Sequence, residues 1–211
     1  ARNLVVMGLP MGLQYSVTAI GSMVMQSANN GLGSIYVSGF TAGTKVKQLM
    51  LCPFDAVATA MATFVGQNMG AHKMDRVKQG IRVTLALAVG YGIVAGVIMN
   101  FGGHFLGSLF VDAANVSVID AAARYMGALG ILYWLLAILD VIRYAIQSLG
   151  FSALSAISGA LEMVARILVA TIFVPLFGYT AICWTDQAAW LAACVYLIPM
   201  LLHLLHKVER E

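Results

Sequence analysis

Four ionisable residues stand in two neighbouring apolar stretches of the chain, Asp140 and Arg143 in one and Glu162 and Arg166 in the next. A charge inside hydrocarbon costs several kcal/mol unless it is paired, so such residues either hold one another or handle an ion. The turn Gly150-Phe151-Ser152 is short and makes the two stretches antiparallel neighbours. Counting about 1.5 Å per residue from that turn puts Asp140 and Glu162 at a similar depth, roughly 13 Å. Arg143 then lies about one turn shallower and Arg166 about one turn deeper. Two carboxylates and two guanidiniums can form a neutral quartet. Two readings of it stand side by side: an ion-pair lock between helices, or the place where a proton or cation couples to transport. Asp55 is a third candidate. It follows Pro53 by two residues and has no arginine near it in the sequence. It reads as a cation or proton site, or as an interior aspartate bonded to backbone groups freed by the proline.

A polar stripe accompanies these charges. Gln14, Thr18, Ser22 and Gln26 follow one another at four-residue steps, and four steps of about 100° overshoot a turn by only about 40°. The stripe is expected to face protein or a water-filled cavity, since lipid leaves polar groups unsatisfied. Hydrogen bonding between helices is the alternative to cavity lining. Asn29 and Asn30 read as helix end and turn.

Enzyme chemistry is not expected. His72, His104, His203 and His206 lack metal-ligand spacing. No serine lies in a nucleophile motif and no phosphate-binding loop is present. Cys52, Cys183 and Cys194 are odd in number and suggest neither a disulfide framework nor a zinc site. No cofactor is implied.

The elements that position these groups follow from composition. Of 211 residues, 61% are apolar and 10% charged, with a mean hydropathy of +0.87. A soluble domain carries about a quarter charged residues, so the outer surface of this chain is expected to face lipid. Six stretches reach the roughly 20 apolar residues that a membrane crossing needs: 4–28, 45–68, 81–101, 121–149, 153–176 and 187–206. They predict an all-α membrane protein, a single six-helix lobe over 1–211, with neither soluble domain nor linker. The break at 102–120 is long and partly apolar, as an interfacial segment would be. Placing the N-terminus in the cytoplasm puts Arg2, Lys73, Arg76, Lys78, Arg82, Lys207 and Arg210 inside, against Lys45, Lys47 and Arg124 outside. That bias favours both termini inside. Pro10, Pro53 and Pro199 can each kink a span, and Gly8/Gly12 and Gly92/Gly96 have the spacing that lets helix backbones approach. The net charge of +3 is too small and dispersed for a nucleic-acid partner.

These residues resemble the C-terminal half of a MATE (multidrug and toxic compound extrusion) transporter. The resemblance runs through Gly8-Leu9-Pro10-Met11-Gly12-Leu13-Gln14, Gln26, Asn30 and Gly33. It continues through Pro53-Phe54-Asp55 and the loop Gly66-Gln67-Asn68-Met69-Gly70-Ala71 with Asp75-Arg76, then Arg143, Gln147, Gly150, Gly159, Glu162 and Arg166. It implies two six-helix lobes around a central cavity, in the plasma membrane (a bacterial inner membrane), and alternating-access export of organic compounds driven by sodium or proton entry. The chain departs from the family in two places. Thr18 stands where some branches carry a cation-binding glutamate, and Asp140 lies about one turn nearer the cytoplasmic end than the family aspartate. The partner is expected to be the N-terminal lobe or a second copy of this one, the chain being a fragment, a truncated product or a dimerising half. A non-transporting or degenerate lobe with a structural role, and a flippase for lipid-linked precursors, are the alternatives. The flippase reading expects a basic cavity.

Overall fold

The computed structural model describes residues 2–210, with side chains from Gly8 to Val208; the side chains of Arg2 and Arg210, which belong to the charge bias above, lie outside the described residues. Only helices and turns occur among the described residues. In chain order they are α1 (Arg2–Asn30), α2 (Ser34–Gly70), α3 (Met74–Ser108), α4 (Val116–Ile131), α5 (Tyr133–Ser148), α6 (Ser152–Leu168), a π-helical turn (Val169–Phe173), α7 (Val174–Phe177) and α8 (Tyr179–Arg210). By length and hydropathy Ser34–Gly70, Met74–Ser108, Ser152–Phe177 and Tyr179–Val208 can each cross a membrane. The pair α4 and α5, bent by 58° at Leu132, forms a fifth apolar stretch.

Each of the six apolar stretches of the sequence is helical, but the breaks differ from expectation. The prolines do not interrupt their helices: Pro10, Pro53 and Pro199 all sit inside continuous elements. The breaks lie at Leu132 and at the π-helical turn before Pro175. A proline ring has no N–H to give the preceding turn, and one wider turn accommodates that loss. Gly178, at φ 56°, then ends α7 in a backbone conformation that glycine adopts freely. Two helices also start earlier than their apolar runs. α2 begins at Ser34, which places Lys45 and Lys47 within a helix and not in an outer loop, and α8 begins at Tyr179, which places Asp186 inside it. Most of the break at 102–120 is the end of α3 and the start of α4.

α1 packs chiefly on α6, α3 on α4 and α5, α2 on α3, α4 and α5, and α8 on α6 and α5. Aromatic residues fill the centre: Phe54 lies 5.2 Å from the Tyr91 ring and 5.4 Å from Tyr133, which meets Trp190 at 6.2 Å. Glycine sets the closest crossing. A Cβ on Gly96 would run into the Gly130 carbonyl, and one on Gly92 would lie 2.8 Å from the Trp134 Cα. The Gly92/Gly96 spacing therefore seats α3 against the α4–α5 bend. A Cβ on Gly8 or Gly12, by contrast, would meet nothing within 4 Å. Because the obstacle at Gly96 is backbone, Gly96→Val is expected to cost about 3 kcal/mol, the upper end for overpacking. Thermal unfolding in detergent should show a clear loss for Gly96→Val and almost none for Gly12→Val.

Candidate functional site

The quartet residues are brought together and form part of a longer chain of charges. Arg143 of α5 donates to Glu162 Oε1 of α6 and lies 3.8 Å from Asp140 Oδ1, one turn back on its own helix. Arg166 contacts Glu162 Oε2 at 3.3 Å and, in the other direction, Asp186 Oδ1 of α8 at 3.3 Å. Asp186 Oδ2 accepts from Lys47 Nζ of α2 at 2.7 Å and from the Tyr125 hydroxyl of α4 at 2.8 Å. Lys47, Asp186, Arg166, Glu162, Arg143 and Asp140 thus alternate in sign along a line joining α2, α8, α6 and α5. Glu162, Arg166 and Asp186 are buried, and their mutual attraction compensates the desolvation that burial imposes.

Lys47, Asp186 and Tyr125 were not among the candidates from sequence. Lys47 and Asp186 each stand near the edge of an apolar run, where a charge reads as a loop residue. The one hint was Asp186, two turns into α8 and without an opposite charge near it in the sequence.

This line of charges borders a cavity of about 330 Å³ whose other walls include Tyr15, Gln48, Asp55, Tyr144 and Trp190. Asp55 is exposed to it. Among the described residues Asp55 takes part in no ion pair, and Asp140 Oδ2 is buried without a hydrogen-bond donor. The Tyr15 and Tyr144 hydroxyls meet at 3.5 Å, linking α1 to α5 beside the opening. Among the described residues three cationic and four anionic side chains line the cavity, so this part of its wall carries one acid more than it has bases.

The polar stripe divides. Gln14 is 2% exposed; its Oε1 accepts from Ser155 Oγ at 3.0 Å and from Gln147 Nε2 at 3.2 Å. Gln14 is thus a bridge among α1, α5 and α6 and does not line the open cavity. Gly159 makes room for it, since a Cβ there would lie 2.9 Å from Gln14 Cγ. Thr18 packs against the same glycine. Ser22 is exposed and returns its hydroxyl to the Thr18 carbonyl at 3.2 Å, the usual recourse of a serine without an outside partner. Gln26 bonds Asn30 at 3.1 Å near the end of α1. No group of three or more histidine, cysteine or carboxylate residues among the described ones could hold a metal.

Apolar helices around a charged cavity are the build of a multi-pass membrane protein. The chain belongs to the MatE family, whose model matches residues 10–172. It is 32% identical over 129 residues to an uncharacterized 21 kDa protein of Pseudomonas savastanoi, covering 61% of this chain and 43% of that protein. It is 37% identical over 71 residues to a probable multidrug resistance protein, YpnP, of Bacillus subtilis, covering 34% and 16%. It is 22% identical over 139 residues to an FAD transporter of Shewanella oneidensis, covering 66% and 30%. Among solved structures it is similar to a MOP superfamily transporter from Pyrococcus furiosus, with a TM-score of 0.85, 14% identity, and 92% of this chain covered. The same figures hold for an outward-facing multidrug resistance MATE family transporter. At that identity the likeness is one of fold. In both structures the chain covers 43% of the transporter, less than half its length.

Proposed function

We propose that the chain is one six-helix lobe of a cation-coupled secondary antiporter that exports drugs or other organic compounds by alternating access. The carrying observation is the charge imbalance of the cavity, where among the described residues three bases face four acids and Asp55 is the acid without an ion pair. A membrane-embedded carboxylate of that kind favours uptake of one proton or one monovalent cation. Asp140, which lines the same cavity and has one carboxylate oxygen without a donor, is the second candidate for that role. Glu162, Arg143 and Arg166 hold the helices that carry them. The remaining wall of the transport path comes from the N-terminal lobe or from a second copy of this one. Two lobes related by an axis along the membrane normal share one orientation, with both termini and the turn after α2 in the cytoplasm of a bacterial cell. Lys73, Arg76, Lys78 and Arg82, clustered at that turn, support this orientation. Lys47 adds a third base to the cavity, yet all three bases are paired with acids, which weighs against a flippase of anionic lipid precursors.

Everted membrane vesicles containing the complete transporter test this reading. A fluorescent organic compound should accumulate only while a sodium or proton gradient is maintained, and dissipating that gradient should stop accumulation. Accumulation that continues without either gradient would contradict the antiport.

A further inference from the structure

A groove of about 590 Å³ runs between α2 and α3, away from the charged cavity, with walls that include Val57, Met61, Phe64, Val83 and Leu87. Both helices are long and apolar enough to cross a membrane. Val83 is 52% and Leu87 62% exposed, so the groove opens to whatever surrounds the helices. Arg76 and Gln79 stand at the end next to the α2–α3 turn, and the one further polar residue named on its walls, Thr84, is buried. From Arg76 to Leu87 the groove follows α3 for about 16 Å at the helical rise.

The guanidinium at that end is held in place. The Phe64 ring rests on Gly80, where a Cβ would lie 2.6 Å from its edge. Arg76 sits over the same ring at 5.9 Å from its centroid. Among the described residues Arg76 has no ion-pair partner; Asp75 is exposed one residue earlier, about 100° around the helix. Lys73 and Arg82 are exposed on the same segment.

We propose that this groove binds an anionic phospholipid, one acyl chain lying along Val57, Val83 and Leu87 and the phosphate resting on Arg76 and the Gln79 amide. A planar guanidinium suits a phosphate, and neighbouring basic residues favour an anionic headgroup over a zwitterionic one. Arg76, conspicuous in the sequence beside the Gly66–Ala71 motif at the end of α2 and unused by the cavity, thereby acquires a role. The assignment requires that α2 and α3 cross the bilayer and is independent of ion coupling.

Lipid retention reads it directly. The purified chain is taken from nanodiscs of equimolar phosphatidylglycerol and phosphatidylcholine, and bound lipid is counted by native mass spectrometry. Phosphatidylglycerol should be retained several-fold over phosphatidylcholine. Arg76→Gln should lower phosphatidylglycerol retention about fivefold, the scale of one basic residue at a membrane surface, and lower phosphatidylcholine retention by less, so that the preference between the two narrows. Val83→Trp, which fills the groove from an exposed position, should remove both. Lys45→Gln, on another groove, should change neither. Equal retention of the two lipids by the unaltered chain, unchanged retention in Arg76→Gln or Val83→Trp, or an equal loss in Lys45→Gln, would overturn the proposal.

Discussion

Replacing Glu162 by Gln is expected to reduce the folded yield of the chain strongly. Glu162 is the centre of that line: one oxygen receives Arg143 and the other Arg166. Arg166 keeps Asp186, but Arg143 is left with only Asp140 at 3.8 Å. Stranding a guanidinium in a buried interface costs about 3–5 kcal/mol, a large share of the stability of a domain. The check is the detergent-soluble monodisperse fraction, with thermal unfolding of what remains. Arg143→Gln added to Glu162→Gln restores the balance of charge along the line and should recover part of the loss, as coupled neighbours do in a double-mutant cycle. An additive double mutant would show that the two side chains are near each other without holding the helices.

Much of the helical layout is legible in the sequence, because a run of about 20 apolar residues has few uses other than crossing a bilayer. What escapes is where helices exceed their apolar runs. Residues 34–44 include Ser34, Gly39, Gly43 and Thr44 and resemble a loop. They are helical because Gly39 and Gly43 admit Ala121 and the Tyr125 ring of α4 against the backbone of α2. Residues 179–186 escape for a similar reason: Thr185 and Asp186 lower the local hydropathy, yet both are buried and satisfied, Thr185 on the Ala181 carbonyl and Asp186 on Lys47, Tyr125 and Arg166. The quartet was legible because its members are close in sequence. Lys47 and Asp186 are 139 residues apart, and nothing local connects them. The bend at Leu132 has the same character, since it accompanies the contact of Gly130 with Gly96 on another helix.

The cavity wall separates two kinds of acid, and that separation is the centre of the account. Glu162 and Asp186 are shared between bases and hold the structure together; Asp55 is exposed, on the same cavity and without an ion pair among the described residues. Asp55→Asn removes the surplus negative charge while conserving shape, and no base is stranded by it. Expression and thermal stability should therefore match the unaltered protein, while coupling should fail. The measurement is export of a fluorescent organic compound by the complete transporter in everted vesicles, with an imposed sodium or proton gradient. The account predicts that Asp55→Asn abolishes gradient-driven export at normal protein level. Gradient-driven export at the unaltered rate by the Asp55→Asn protein would contradict it.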